Sequence, residues 1–558
     1  MDKPFAITLD PGSSLANKTG SWRTQRPVYV DRLPPCNAQC PAGEDIQGWL
    51  YHAEGGDYRS AWQHLTRDNP FPAIMGRVCY HTCEGACNRG RLDEPVGINS
   101  VERFLGDEAL KRGWRFEVSP IESGKHVLVV GAGPSGMSAA YHLRRLGHRV
   151  TVFEAGPRMG GMMRFGIPQY RLPRDVLDAE MQRIVEMGIR VELGRKVERI
   201  DEAMEGFDAA FLAVGAHIAK RAFIPAKDSS RILDAVSVLR SMEAADQPML
   251  GRRVVVYGGG NTALDVARTA KRLGATEAVI VYRRTRERMP AHDFEVEEAL
   301  EEGVMVKWLS TIKQAGLDGS GGELTIEKMV LDAKGNPQPT GEFETLAADS
   351  LVLALGQDVD LSLLHGVPGL EVDDGVVQVD PATMMTGRAG LFAGGDMVPA
   401  ERNVTVAVGH GKKAARHIDA WLRDTTIERR PKHAPATFER LNTWYYSDAP
   451  KTLRPQLDLA RRRSTFEEVQ GGLDEGTALY EARRCLSCGN CFECDNCYGV
   501  CPDNAVIKLG PGRRFEFNYD YCKGCGLCAA ECPCGAIDMV PAERNVTVAV
   551  GHGKKAAR

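Results

Sequence analysis

Eleven of the sixteen cysteines in this 558-residue chain crowd into residues 485–534. Eight of them fall into one pattern that occurs twice. The first run is Cys491-x2-Cys494-x2-Cys497-x3-Cys501-Pro502, and the second is Cys522-x2-Cys525-x2-Cys528-x3-Cys532-Pro533. This is the bacterial two-cluster ferredoxin spacing, in which the fourth cysteine of each run ligates the other cluster. The spacing assigns Cys491, Cys494, Cys497 and Cys532 to one [4Fe–4S] cluster. It assigns Cys522, Cys525, Cys528 and Cys501 to a second. The doubled run argues against zinc, which needs only four ligands around one ion.

Two Gly-rich turns carry a different chemistry. Gly131-Ala-Gly133-Pro134-Ser135-Gly136 follows the apolar run His126–Val130 and precedes a segment of helical composition, Ser135–Leu146. Gly131 permits the tight turn, Gly133 lets a pyrophosphate approach the backbone, and Gly136 allows close helix–strand packing. Glu154 ends the next strand, where an acid can bind ribose hydroxyls. The second turn is Gly258-Gly-Gly260-Asn261-Thr262, after Val-Val-Val-Tyr257. Its next strand ends in Tyr282-Arg283-Arg284, without an acid. Arginines can pair with a 2′-phosphate, so this turn reads as an NADPH site; the alternative is a solvated basic turn.

A third signal is Gly390-Leu-Phe-Ala-Gly-Gly395-Asp396, followed by a helix beginning near Thr405 and Val406. An aspartate there can accept a flavin ribityl hydroxyl, and the helix N-terminus can face the anionic pyrimidine end. Ala213-Val-Gly215 and Ala354-Leu-Gly356 read as strand-to-turn crossings, Gly215 on the FAD side and Gly356 on the NADPH side.

The elements between these motifs alternate. Val150–Glu154, Asp208–Val214, a strand from Arg253 and Ala278–Tyr282 read as strands, and Arg174–Met187 has helical spacing. Strands alternating with helices predict parallel βαβ sheets, hence an α/β chain. Hydrophobic residues are 43% and charged residues 26%, which excludes wholesale disorder. A net charge of −4 gives no global reason to expect nucleic acid. The segment MDKPFAITLD has no apolar signal core, and no run of about 18 apolar residues predicts a membrane span. The expected compartment is the cytoplasm, where thiols stay reduced and clustered cysteines hold metal.

The segments CNAQCPAGEDI, GRVCYHTCEGACNRG, GAGPSGMSAA, GGMMRFGIPQYRLP, GGGNTALD, YRRTRERMP and FAGGD occur in one order. Over about residues 30–425 the chain resembles the small subunit of glutamate synthase and its relatives. The resemblance implies FAD at the first turn, NADPH at the second, and iron–sulfur clusters in the N-terminal domain. It places Gly160–Pro173, including Gly161 and Arg171, near the flavin. The implied architecture is two Rossmann-like domains with a helical iron–sulfur domain before them and an α+β ferredoxin-like domain after them. The expected bounds are 30–120 for the N-terminal domain, and 121–250 with 350–425 for FAD. NADPH takes 251–349, a linker or wrap 426–484, and the ferredoxin domain 485–540.

The N-terminal domain departs from its relatives, which carry a further CxxC upstream. Here nothing before Cys36 supplies one, yet Cys485-Leu-Ser-Cys488 is otherwise unused. We expect one cluster on Cys36, Cys87, Cys485 and Cys488. Another takes Cys40, Cys79 and Cys83, and the resemblance implies Glu102 as its fourth ligand. Cys534 is left over. The simpler alternative is a single N-terminal cluster, giving three clusters instead of four. Residues Met397–Arg416 recur identically as Met539–Arg558, so the tail 541–558 reads as a sequence artefact.

NADPH would deliver a hydride to the flavin, and the clusters would carry single electrons, leaving side chains to bind and tune. The expected function is an electron-transfer subunit of a hetero-oligomer. Its partner is a ferredoxin or a redox subunit such as a 2-oxoacid:ferredoxin oxidoreductase. Alternatives are a self-contained NADPH-dependent reductase of a small molecule and a redox scaffold that stores electrons.

Overall fold

The computed structural model describes residues 18–220, 222–226, 230–243, 247–318, 321–428 and 433–542. Two five-stranded parallel sheets form its centre. In the first, the strands run Leu391–Ala393, Ala209–Leu212, His126–Val130, Arg149–Phe153 and Arg190–Glu192. Val127–Val130 is buried throughout, as an apolar run covered on both faces must be. Helix Pro134–Arg145 packs against the long helix Val404–Leu422. The two backbones approach closely because Gly411 lacks a side chain: a Cβ there would lie 2.3 Å from the Ser135 carbonyl oxygen.

The second sheet runs Met305–Lys307, Glu277–Val281, Arg253–Tyr257, Ser350–Leu353 and Ile232–Asp234. Two of its strands differ from the expected bounds. Ser350–Leu353 pairs in register with Val254–Tyr257 on one side and Ile232–Asp234 on the other, so both segments belong here and not to the FAD sheet. Local pattern marks such runs as strands but cannot say which sheet receives them. An antiparallel meander, Ser310–Asp318, Gly321–Leu331 and Pro337–Ala348, was not legible in the sequence. Its inward Ile312, Leu317, Leu324 and Ile326 join Val255, Val281 and Leu351 in one core.

The N-terminal domain is helical: Ile46–Glu54, Tyr58–Leu65, Pro72–Val78 and Ile98–Lys111. Asp45 and Asp57 cap the first two helices by accepting N–H bonds from Gly48 and Ser60. Helix Glu475–Arg483, from the far end of the chain, shares this core through Ala478 and Ala482. The ferredoxin region is also built from both ends. Strand Gln25–Tyr29 pairs antiparallel with Ile537–Pro541, beside the hairpin of Val506–Lys508 and Phe515–Phe517.

The connection after residue 432 wraps the other domains. Arg462 is buried against Glu302 and Glu301 of the second sheet's domain, while Arg461 and Arg463 on either side of it are exposed. In the TWYY group, the Tyr445 hydroxyl donates to Glu531 and the Tyr446 hydroxyl to the Leu486 carbonyl, while Trp444 stays exposed. Met539–Pro541 of the repeated segment lie in a strand; residues 543–558 fall outside the described ones. Among the described residues no helix is long and apolar enough to cross a membrane.

Candidate dinucleotide and iron–sulfur sites

A cavity of about 520 Å³ opens at the carboxyl ends of the first sheet. Gly131, Gly133, Pro134, Ser135, Glu154, Gly161, Gly215, Gly395 and Asp396 all line it. Its shape depends on missing side chains. Gly131 has φ +105°, and a Cβ there would lie 2.3 Å from the Ala213 carbonyl oxygen. A Cβ on Gly133 would meet only the Gly161 Cα, at 3.8 Å, leaving room for a ligand. Gly136 serves packing instead: its Cβ would lie 1.9 Å from the Gly131 carbonyl oxygen.

Glu154 accepts the Ala132 and Gly156 N–H groups, each at 2.7 Å, so it also holds the turn in shape. The Ser135 hydroxyl is buried with no hydrogen-bond partner among the described residues. Burial pushes the Asp396 carboxyl up to about 6, with Arg402 opposing. A neutral turn, a positive helix end and an orphaned hydroxyl fit an anionic dinucleotide such as FAD. Arg195, Lys196 and Asp360 also line the cavity; they lie in loops that sequence motifs do not mark.

Three expected flavin residues lie elsewhere. Arg171 donates to both Asp265 carboxylate oxygens at 3.0 Å and pairs with Glu295, so it ties the flavin side to the second domain. Val406 donates its N–H to the Asn403 side chain, the cap of the long helix. The Thr405 hydroxyl donates to the Cys79 sulfur at 3.3 Å. The helix that starts beside the flavin cavity therefore reaches an N-terminal cysteine.

At the second turn, Gly258 has φ +151°, and its Cβ would lie 2.2 Å from the Ala354 carbonyl oxygen. Nothing would obstruct a Cβ on Gly260 within 4 Å, which leaves the backbone open to a phosphate. Asn261 and Thr262 begin helix Asn261–Arg272. The Asn261 amide donates to the Tyr80 hydroxyl at 2.5 Å, and its oxygen accepts the His292 N–H at 3.1 Å. Arg283 is exposed and Arg284 half-buried, and neither guanidinium forms an ion pair among the described residues. Gly356 has φ +103°, with the Lys220 side chain as its neighbour.

The cysteines gather in four groups. Cys36, Cys87, Cys485 and Cys488 line one small cavity, walled by Leu50, Val96 and Ile98. Burial raises the Cys36 thiol well above its ordinary range, and the charges of Cys485, Cys87 and Cys488 add to this. Cys40, Cys79 and Cys83 form a second group. Burial and then Glu102 push Cys79 up to about 12, while burial, Cys79, Glu84, Cys40 and Glu102 raise Cys83. Glu44 stands here too, the strongest charge acting on Cys40. Glu44 and Glu102 share the Asn69 amide, at 2.9 and 2.8 Å. The sequence reading missed Glu44.

Cys501, Cys522, Cys525 and Cys528 line another small cavity with Pro27 and Phe517. Cys491, Cys494, Cys497 and Cys532 act electrostatically on one another. The Tyr29 hydroxyl lies 3.2 Å from the Cys497 sulfur. Cys534, the unassigned cysteine, is buried 3.7 Å from Cys532. Among the described residues no three His, Cys, Asp or Glu side chains converge on a single metal ion; two of the four cysteine groups ring cavities. Sulfur-rich, desolvated donor sets of this kind suit clusters, which bind thiolates and so displace the thiol protons.

Three family models match. The pyridine nucleotide-disulphide oxidoreductase model covers residues 97–207 and 125–411. The dihydropyrimidine dehydrogenase domain II, 4Fe-4S cluster model covers 23–114, and the 4Fe-4S binding domain model covers 515–538. The chain belongs to the pyridine nucleotide-disulphide oxidoreductase family. It is an NADPH-dependent oxidoreductase of the FAD and [4Fe–4S] type.

It is 36% identical to the NADP(+)-dependent formate dehydrogenase subunit beta of Moorella thermoacetica, over 81% of this chain and 70% of that one. It is 31% identical to the NADPH-Fe(3+) oxidoreductase subunit beta of Geobacter sulfurreducens, over 82% and 76%. The glutamate synthase [NADPH] small chain of Escherichia coli K12 is 32% identical, over 70% and 89%, which bears out the resemblance drawn from the motifs. Among solved structures, Mycobacterium tuberculosis FprA in complex with NADPH aligns with a TM-score of 0.46 at 17% identity, over 65% of this chain and 99% of that one.

Proposed function

We propose that this chain is the electron-transfer subunit of a hetero-oligomer, linking NADP(H) to a separate catalytic subunit through four [4Fe–4S] clusters. The observation that carries this reading is the cavity shared by Cys36, Cys87, Cys485 and Cys488, which joins the N-terminal helical domain to the segment that leads into the ferredoxin runs. When bound, FAD accepts a hydride from NADPH and the clusters pass single electrons.

The chain's own residues bind and orient. Gly131, Gly133, Ser135 and Glu154 cradle the FAD pyrophosphate and ribose, and Asp396 faces the flavin's sugar chain. Gly258, Gly260 and Thr262 receive the NADPH pyrophosphate, and Arg283 with Arg284 its 2′-phosphate. Cys40, Cys79 and Cys83 hold the cluster nearest the flavin helix, with Glu102 as fourth ligand. Cys36, Cys87, Cys485 and Cys488 hold the next, and the ferredoxin runs hold two more.

Cys494 and Cys525 are exposed, one in each ferredoxin set, and mark the face that meets the partner. The beta-subunit names of the two NADP-linked relatives support a partner subunit. A formate-oxidising subunit and a 2-oxoacid:ferredoxin oxidoreductase both export electrons of the right kind. The compartment is the cytoplasm.

Replacing Cys494 and Cys525 by Ala tests the outlet. The variant should keep FAD, and NADPH should still bleach the flavin anaerobically. Reduction of added ferredoxin should fall to background. Reduction at the wild-type rate would show that the ferredoxin domain is not the outlet.

A further inference from the structure

We infer that Tyr80 couples NADP(H) binding at the second Gly-rich turn to the redox state of the iron–sulfur group beside Cys79. The inference rests on the site assignments just proposed. Tyr80 comes from the cysteine-bearing N-terminal domain, yet its hydroxyl accepts the Asn261 amide at 2.5 Å. Its ring stacks on His292 with centroids 3.6 Å apart and planes 26° apart. Asn261 is the first residue of the helix whose N-terminus faces the nucleotide's phosphates. Its oxygen accepts the His292 N–H at 3.1 Å. Both ends of that amide are therefore held, one by its own domain and one by the cysteine-bearing domain.

The other end of the link is the sulfur next door. Cys79 Sγ accepts the His81 N–H at 3.2 Å and the Thr405 hydroxyl at 3.3 Å. His81 has φ +41°, and its Nδ1 lies 3.0 Å from the Cys79 carbonyl oxygen. Tyr80 lies inside this tight turn and cannot shift independently of it. An electron supplied by NADPH through the flavin makes the Cys79 sulfur more negative. Hydrogen bonds to a more charged acceptor strengthen, so the turn tightens and moves the Tyr80 hydroxyl against Asn261. Linkage is reciprocal: a factor by which reduction changes nucleotide affinity is the factor by which nucleotide changes reduction.

Tyr80→Phe removes the hydroxyl and keeps the ring stack. The test uses full-length, cluster-loaded protein and 2′-phospho-ADP-ribose, which fills the phosphate sites but accepts no hydride. Its affinity is measured with the protein oxidised and dithionite-reduced. The midpoint potential of the N-terminal clusters is followed by EPR with and without it.

In the wild type the two affinities should differ about fivefold to tenfold, tenfold corresponding to about 59 mV for one electron. In Tyr80→Phe that difference and the potential shift should vanish, with iron and flavin content unchanged. Arg283→Ala/Arg284→Ala should weaken binding in both states yet keep the difference. A Tyr80→Phe protein that retains both difference and shift overturns the inference. A wild type lacking N-terminal clusters or nucleotide binding overturns the proposed function and this inference with it.

Discussion

Arg283 and Arg284 carry the choice of nucleotide in this account. Both lie just beyond strand Glu277–Val281, which follows the second Gly-rich turn, and neither is engaged in an ion pair among the described residues. Losing a charge-assisted pair with a 2′-phosphate costs about 1.5–3 kcal/mol, or roughly tenfold to a hundredfold in affinity. The double alanine variant should lose that much NADPH affinity by equilibrium titration, with NADH affinity nearly unchanged. Equal losses for both would make the arginines part of the fold. Residues placed by local geometry were legible here: Gly131, Gly133 and Glu154 follow from turn chemistry and line the first sheet's cavity. Glu44 was not, although it follows Cys40 by four residues, because its link to Glu102 through Asn69 forms only on folding. Tyr80 was hidden for the same reason, since its partner Asn261 lies 181 residues away.

Helices rather than single residues join the second dinucleotide domain to its surroundings. Arg268 and Arg272 of helix Asn261–Arg272 and Arg462 of helix Leu459–Ser464 all donate to Glu302. Burial alone would raise the Glu302 carboxyl, but the hydrogen bonds from Arg268 and Arg272 hold it at about 2. A depressed carboxylate stabilises the fold fully above its unfolded value near 4.5, and the contribution is lost as pH falls toward 2.

Glu302→Gln removes the carboxylate partner of the buried Arg272, while Arg268 keeps Glu298 and Arg462 keeps Glu301; breaking such a buried pair costs about 3–5 kcal/mol. Denaturant unfolding at pH 7 should show that loss, and the variant's stability should fall less than the wild type's between pH 4.5 and 2. An unchanged midpoint would mean the network adds nothing to stability. Strands His126–Val130, Arg149–Phe153, Ala209–Leu212, Arg253–Tyr257 and Glu277–Val281 were readable within a residue or two, because continuous apolar runs mark buried strands, whereas the short Arg190–Glu192, Ile232–Asp234 and Met305–Lys307 were not. The assignment of Ile232–Asp234 and Ser350–Leu353 to the second sheet was not, since both sheets accept the same kind of strand.

The whole molecule closes on itself. Strand Gln25–Tyr29 completes the sheet of the ferredoxin region, and helix Glu475–Arg483 completes the core of the N-terminal domain. Cysteine counting pointed to a shared set because Cys485 and Cys488 had no other use. The register of strand Gln25–Tyr29 against Ile537–Pro541 had no such arithmetic and left no trace in the sequence.

The shared set is the central claim, and iron content tests it most directly. Four clusters of four irons require close to sixteen irons per chain. Anaerobically purified wild type should contain about sixteen, and Cys485→Ser/Cys488→Ser about twelve, with the EPR signals of both ferredoxin clusters intact. A wild type near twelve with complete ferredoxin clusters, unchanged by the double substitution, would contradict the account.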